Sequence, residues 1–258
     1  MLRERLLQIV KLRGHTFVAT TLNRNSVVVD LGANTGGFAR SITERYGCRC
    51  FSVEASPELC EAFHATPNNR IYNYAMCDRD EPLRFHLNSN NEASSIFEHS
   101  PGADGRVITV QGRSLQTLLS ELSLTKVDLL KIDIEGSEIP MLLNAPAEVI
   151  DQIDQLTVEF HNLVGLCTTE QVMQVVRKLE QAGFDAIRFD GLHAGSVHPD
   201  RLDHLNWLFL RRGAPGMNAL RRWYVRNPMC MLRWMLQRVR RFRGRPRFAD
   251  DCVGVCST

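Results

Sequence analysis

Along the chain, short β-branched runs alternate with stretches whose apolar residues recur at helical spacing. Ser26 to Leu31 is too short for a helix and rich in Val, so it reads as a buried parallel strand. The helical pattern Phe38-Ala39-Arg40-Ser41-Ile42-Thr43 follows, and Cys48 to Val53 reads as the next strand. Pro57 to Ala65 predicts a helix capped by Ser56, with Pro at its first position. Ile71 to Met76 is a third strand that ends near Asp78. Leu83 to Leu87 and Val107 to Val110 alternate as strands around a polar loop, Asn88 to Gly105; a loop that long is usually functional or mobile. Ser114 to Leu122 returns to helix, and Asp128 to Ile134 and Gln155 to His161 return to strand. Thr168 to Gly183 predicts an amphipathic helix, capped by Thr168 or Thr169, buried along Val172, Val175, Val176 and Leu179, and stopped by Gly183. Phe184 to Asp190 and His204 to Leu210 are the last strands, around a polar loop, Gly191 to Asp203, that could lie over a substrate. At the N-terminus, Met1 to Arg13 alternates charge with Leu and Ile and predicts a short amphipathic helix. Seven principal strands with at least four helices predict an α/β fold, an open doubly wound sheet rather than a barrel.

The strand ends carry the chemistry. Ser26–Leu31 runs through Asp30 into Gly32, with Gly36 and Gly37 just before the helical pattern. Strand, glycine turn and helix start form the first half of a βαβ nucleotide site, where backbone and free N–H groups approach a ligand. The next strand ends in Glu54, about 20 residues beyond the first glycine, where a carboxylate can accept both ribose hydroxyl hydrogens. A dinucleotide fingerprint needs G-x-G-x-x-G for its pyrophosphate, but Asn34 holds the second glycine position and Asp30 precedes the first. A carboxylate there repels a pyrophosphate and suits a ligand with an ammonium and a sulfonium. The pattern therefore fits S-adenosylmethionine (SAM) better than NAD, with Asp30, Gly32, Asn34, Gly36 and Glu54 as its site. The end of the third strand lies beside the expected adenine pocket, where the backbone of Ala75 and Met76 and the acid Asp78 could meet the base; a plain strand terminus explains Asp78 equally well.

The second informative block is Val127 to Glu138, with Lys131 and Asp133 charged near a strand's end. Charges there are costly if sealed in a core, and open α/β sheets bind ligands at the carboxyl ends of their strands. Asp133 and Glu135 are thus placed for chemistry, against the plainer alternative of a Lys131–Asp133 ion pair with Glu135 and Glu138 favouring a helix start. Glu159 and His161, two apart at the end of the neighbouring strand, share a face and make His161 a general-base candidate.

Composition changes the picture at one end. Residues 213–258 hold ten arginines against two acids, a net charge of +8, while the remainder holds 21 basic and 27 acidic side chains, a net of −6. Trp223, Met231, Trp234, Met235, Val239 and Phe242 interleave with Arg221 to Arg247. That stretch could dock peripherally on an anionic membrane, meet a nucleic acid or an acidic partner, or pack as a helix against the sheet or a second subunit. The division expected is an N-terminal helix and lead-in over 1–25, a catalytic domain over 26–212 and a basic extension over 213–258. Charges at Arg3, Glu4, Arg5 and Lys11 break up any secretory signal, no run approaches a membrane span, and the eight scattered cysteines favour reduced thiols in a cytoplasmic setting. Cys252 and Cys256 match no prenylation signal and are too few for a complete metal site.

VVVDLGANTGGFA, VEASP, NYAMCD, ASSIF, KIDIEGSE, VEFH and NWLFLR occur in the order seen in FkbM-type methyltransferases, which the chain resembles from about Val27 to Arg211. KIDIEGSE paired with the glycine motif is the most specific part. Departures are EASP where EPxP-like forms are common, and RSLQTLL in place of a more typical Leu-Asp pair. The resemblance implies a class I Rossmann-like fold with its last strand antiparallel, SAM as cofactor, and methylation of a hydroxyl on a sugar, glycan or natural product; nucleic acid is not an expected partner. Such a reaction needs the acceptor hydroxyl oriented and its proton removed. His161 is the expected base, Glu159 its orienting partner, and Asp133 and Glu135 the groups that position the acceptor. A divalent ion between Asp133 and the Glu159–Asn162 segment is the alternative; the metal-free route is preferred, because no compact ligand run compels an ion. The competing function class is a SAM-fold binding module without turnover, docked through its basic extension.

Overall fold

The computed structural model describes residues 8–88, 94–97, 103–162, 165–188 and 205–213. The loop Gly191 to Asp203 and the basic extension, with Arg221 to Arg247, Cys252 and Cys256, lie outside the described residues.

The chain enters through a hairpin, β1 (Ile9–Leu12) and β2 (His15–Val18), where a helix was expected. Arg13 and Gly14 both take positive φ, 50° and 92°, which is the two-residue turn that matches strand twist. All four residues of β2 are buried. The Gln155 side chain fixes β2 to the main sheet, its amide oxygen accepting from the Val18 N–H and its amide nitrogen donating to the Val18 carbonyl, both at 3.0 Å.

Seven strands then build the central sheet: β3 (Val27–Leu31), β4 (Arg49–Glu54), β5 (Asn69–Asn73), β9 (Leu129–Ile132), β10 (Gln155–Phe160), β11 (Phe184–Arg188) and β12 (Leu205–Arg211). Their spatial order is β11-β12-β10-β9-β3-β4-β5, and β12 alone runs antiparallel to its neighbours. The expected class I methyltransferase sheet with an antiparallel last strand is what the chain forms. Side chains alternate across it, so Val29 and Leu31 face one core while Val28 faces the other. The first core packs α3 (Leu115–Glu121), α4 (Glu138–Asn144), α5 (Ala147–Ile150) and α6 (Thr169–Gln181) on the sheet; the second packs α1 (Gly37–Tyr46) and the entry hairpin.

The third predicted strand is divided. Its first part pairs as β5, while Ala75–Met76 forms β6 and joins β7 (Pro82–Asn88) and β8 (Ala103–Arg113) in a separate three-stranded sheet. The Asn73 amide donates to the carbonyls of Glu54 and Ala55 at 2.9 Å each, closing β5 where the chain changes sheets. The second helix is shorter than its sequence pattern: α2 is Pro57–Glu61, with the Ser56 hydroxyl accepting from the Leu59 N–H. Ser114 caps α3, and Asp80 braces that cap by accepting from the Ser114 N–H and from the Ser114 and Thr117 hydroxyls. Among the described residues, no helix is long and apolar enough to cross a membrane, and Cys48, Cys50, Cys60, Cys77 and Cys167 are free thiols.

Candidate active site

The carboxyl ends of β3, β4 and β9 open onto one pocket with β6 and β7 beside it. Gly32, Asn34, Glu54, Ala55, Tyr74, Ala75, Met76, Phe85, Ile96, Asp133, Ile134, Glu135 and Ser137 are among its lining residues. Gly32 is required by both its positive φ of 76° and its surroundings: an added Cβ would lie 1.6 Å from the Asp133 carbonyl oxygen. Asn34 also takes a positive φ, 51°, and this turn delivers its N–H to Glu54. Glu54 accepts from the Asn34 N–H on one carboxylate oxygen and from the Ser56 N–H on the other, each at 2.9 Å, which fixes the plane of the carboxylate. Burial raises its pKa, against the lowering pull of those backbone donors.

Asp30 takes a different place from the one expected. It is fully buried, does not line the pocket, and lies 3.1 Å from the Lys131 ammonium, its register partner on β9. Lys131 also donates to the carbonyls of Leu31 and Gly32 and sits 3.5 Å from Asp133. Burial alone would lower the Lys131 pKa, but Asp30 and Asp133 outweigh it and hold the ammonium charged. Asp30 thus acts on the glycine turn through Lys131 instead of facing a ligand. Gly36 is the N-cap of α1, with φ 78°, and packs against Phe63 outside the pocket wall. Asp78 also lies off the pocket, 3.1 Å from the Arg79 guanidinium, as a plain strand terminus would.

Behind Asp133 lies a buried ionic cluster. One side of its carboxylate, Oδ2, is 3.4 Å from His15 Nε2, which is itself 3.8 Å from Glu159. The other side, Oδ1, is 3.6 Å from His161 Nε2, which lies 3.3 Å from Glu135. His161 Nδ1 meets Glu138 at 2.9 Å. Glu138 is fully buried and also accepts from the N–H groups of Ile134 and Gly136, so it organises the Asp133–Ser137 turn. Burial would raise the Asp133 pKa, but Lys131 and His15 override it and hold the carboxyl well below the usual range. Burial raises the Glu135 pKa, with His161 pulling the other way.

His161 is not the expected general base. Burial alone would lower its pKa, yet Glu138 and Glu135 push it up to about 12. Full burial and a raised pKa both disfavour it as the acceptor of a substrate proton. Its orienting partner is Glu138, not Glu159, because β10 ends at Phe160 and the strand alternation that placed Glu159 and His161 on one face stops there. Glu159 faces His15 instead.

Of the residues singled out from the sequence, the pocket gathers Gly32, Asn34, Glu54, Ala75, Met76, Asp133 and Glu135. Reading the sequence alone missed three features: Glu138 as the anchor of His161, His15, and the apolar wall of Tyr74, Phe85 and Ile96. Glu138 had a usable signal, an acid two residues beyond a glycine where the chain must turn from strand to helix. His15 had none, since it reaches the site through the docking of β2 on the main sheet, where Gln155 pairs with Val18.

A parallel sheet with an antiparallel β12, a glycine turn after β3 and an acid closing β4 defines the class I SAM-dependent methyltransferases. The chain belongs to the methyltransferase FkbM domain family, whose model matches residues 30–186, and its cofactor is SAM. No curated protein sequence matches it. Solved structures resemble it at low identity and low TM-score. Precorrin-6y C5,15-methyltransferase from Geobacter metallireducens is 10% identical over 74% of this chain and 81% of its own, with a TM-score of 0.41. An rRNA methylase from Streptococcus thermophilus is 10% identical over 75% of this chain and 90% of its own, at 0.43. SMU.1697c from Streptococcus mutans, in complex with SAH, is 8% identical over 73% of this chain and 90% of its own, at 0.44.

Proposed function

We propose that this methyltransferase acts on a hydroxyl group, carried by a sugar, a glycan or a natural product. The observation that carries the reading is the pocket's polar lining: a backbone-clamped acceptor, Glu54, on one side and two further carboxylates, Asp133 and Glu135, on the other. Acceptor-only groups suit ligands that present hydroxyl hydrogens and positive charge.

The lining residues fit SAM. Glu54 keeps lone pairs for ribose hydroxyls after accepting from Asn34 and Ser56. Ala55, Tyr74, Met76, Phe85 and Ile96 form a wall suited to a flat adenine, and the acids at the β9 end suit the cationic part of the cofactor. When bound, SAM supplies a methyl group on a sulfonium, already activated toward displacement. The chain must orient the acceptor oxygen and take its proton. Of the pocket carboxylates, Asp133 is suited to accept the hydroxyl's hydrogen bond and Glu135, whose pKa burial raises, to take its proton. His161 holds these two acids in place from behind, through contacts of 3.6 and 3.3 Å.

The test is turnover of SAM to S-adenosylhomocysteine by the full chain with paired acceptors that differ only in bearing a hydroxyl, an amine or a thiol. Product formation with the hydroxyl member, showing a new O-methyl signal by NMR, is expected. Turnover confined to the amine or thiol members would overturn the assignment.

A further inference from the structure

The ionic cluster behind the pocket has more acid than its fixed cations answer. Among the described residues, Asp133, Glu135 and Glu138 face His161, and the buried ammonium of Lys131 is directed at Asp30 and at the Oδ2 side of Asp133. Among the described residues, Glu135 and Glu138 pair with no lysine or arginine. Two triads have metal-ligand spacing, His15–Asp133–Glu159 and Asp133–Glu135–His161, each with donor atoms within 4.8 Å of one another. Lys131 separates them. Its ammonium lies 3.5 Å from Asp133 Oδ2, the oxygen the first triad uses, so a cation there would meet a like charge. The second triad uses Oδ1, on the far side of the carboxylate.

A second observation, independent of the acids, points the same way. Metal-bound histidines commonly give their other ring N–H to a carboxylate, which fixes the ring and aims the remaining nitrogen. His161 does this: Nδ1 meets the fully buried Glu138 at 2.9 Å, and Glu138 is itself held by two backbone N–H groups. Nε2 is thereby aimed between Glu135 and Asp133, at 3.3 and 3.6 Å. Ligands about 2.1 Å from an ion lie about 3.0 Å apart when adjacent in its shell; the two imidazole distances are near that, and the Asp133 and Glu135 oxygens lie within 4.8 Å of each other.

We propose that Asp133, Glu135 and His161 bind a divalent cation at the edge of the pocket, with Glu138 orienting the imidazole. One imidazole and two carboxylates suit Mn²⁺, Fe²⁺ or Zn²⁺ better than Ca²⁺. The ion takes the place of the proton on Nε2. Since Asp133 and Glu135 also line the pocket, its remaining positions are open to water or to an acceptor oxygen, whose proton it would make easier to remove. That last role rests on the hydroxyl-acceptor reading; binding itself does not.

The experiment titrates chelator-stripped, full-length protein with Mn²⁺ alone and follows the free ion by electron paramagnetic resonance. One ion per chain is expected, with spin-echo modulation from a directly bound imidazole nitrogen. Glu135→Gln and Asp133→Asn should weaken binding at least tenfold, and His161→Gln should abolish the nitrogen modulation. Glu138→Gln should weaken binding roughly 10- to 100-fold. Glu135, partly exposed, keeps the test open if the buried variants fail to fold. Absence of stoichiometric Mn²⁺ in the wild type, unchanged affinity in Glu135→Gln, or loss in Glu159→Gln without loss in Glu135→Gln would each overturn the site. SAM calorimetry on the same stripped protein keeps the two readings apart, since cofactor binding without Mn²⁺ binding removes the cation site alone.

Discussion

The two sides of the pocket are built in opposite ways. The β3–β4 side comes from one stretch, in which the Asn34 and Ser56 N–H groups donate to the Glu54 carboxylate and the Gly32 N–H donates to the Val53 carbonyl. The β9–β10 side is assembled from distant segments, His15 on the entry hairpin, Asp133 to Glu138 after β9, and Glu159 and His161 at the end of β10, held by charge. The first side owes its shape to covalent geometry and glycine, and the second to a buried electrostatic balance. Substitutions on the first should therefore act through steric fit, and on the second through charges left unpaired.

The hardest break is at the seam. Gly32 belongs to the first side, but the atom that an added Cβ would strike is the Asp133 carbonyl of the second. That atom is backbone and cannot rotate away, and φ is positive as well. Gly32→Ala should cost more than about 4 kcal/mol, the range reserved for severe steric or backbone faults. Urea unfolding of the variant measures it, and a loss under 1 kcal/mol would mean that the two sides meet less tightly than described.

Next comes the charged side by itself. Glu138→Ala deletes the carboxylate that serves His161 and two N–H groups at once. Breaking a buried pair by removing one partner costs about 3–5 kcal/mol; the low end, about 3 kcal/mol, is expected because His161 can release its proton. The same denaturation experiment reads it. Glu135→Gln, whose side chain is partly exposed, should lose much less.

On the cofactor side the effect moves from stability to affinity. Glu54→Ala removes one or two charge-assisted hydrogen bonds to the ribose, each about 1.5–3 kcal/mol, so SAM affinity should fall at least tenfold by calorimetry while the fold survives. Unchanged affinity would remove Glu54 from the cofactor site.

The same contrast explains what the sequence could show. Gly32, Asn34 and Glu54 were legible because one motif contains both the turn and its function. The central sheet was legible too, because buried parallel strands such as VVVDL and LLKI are continuous apolar runs. The N-terminal hairpin was misread as helix because a charge-alternating segment fits both periods until Arg13 and Gly14 are seen to take positive φ together. His161 was misread for a different reason. Its neighbours in sequence gave a plausible base with an orienting Glu159, whereas its protonation is decided by Glu138, 23 positions away along the chain. Long-range charge pairing leaves no periodicity to read.

The smallest expected effect is a pH dependence that separates the two sides. Glu54 must be ionised to accept from ribose hydroxyls with full strength, and burial raises its pKa above the ordinary 4.5. SAM affinity is therefore complete above that raised pKa and is lost as pH falls through it, sooner than an ordinary carboxylate would allow. Asp133, held well below the usual range by Lys131 and His15, stays ionised throughout the same window. A decline that begins above the normal carboxylate range thus reports on the β4 side and not on Asp133. The decline should therefore set in above the ordinary carboxylate value of 4.5. Glu135 is also raised by burial, so the assignment needs its own control. In Glu54→Gln the affinity should be weaker at pH 7 and nearly flat down to 5.5, while Glu135→Gln should keep the wild-type slope. A slope that survives in Glu54→Gln and vanishes in Glu135→Gln would place the titrating group on the charged side, and with it the part of the pocket that governs cofactor binding.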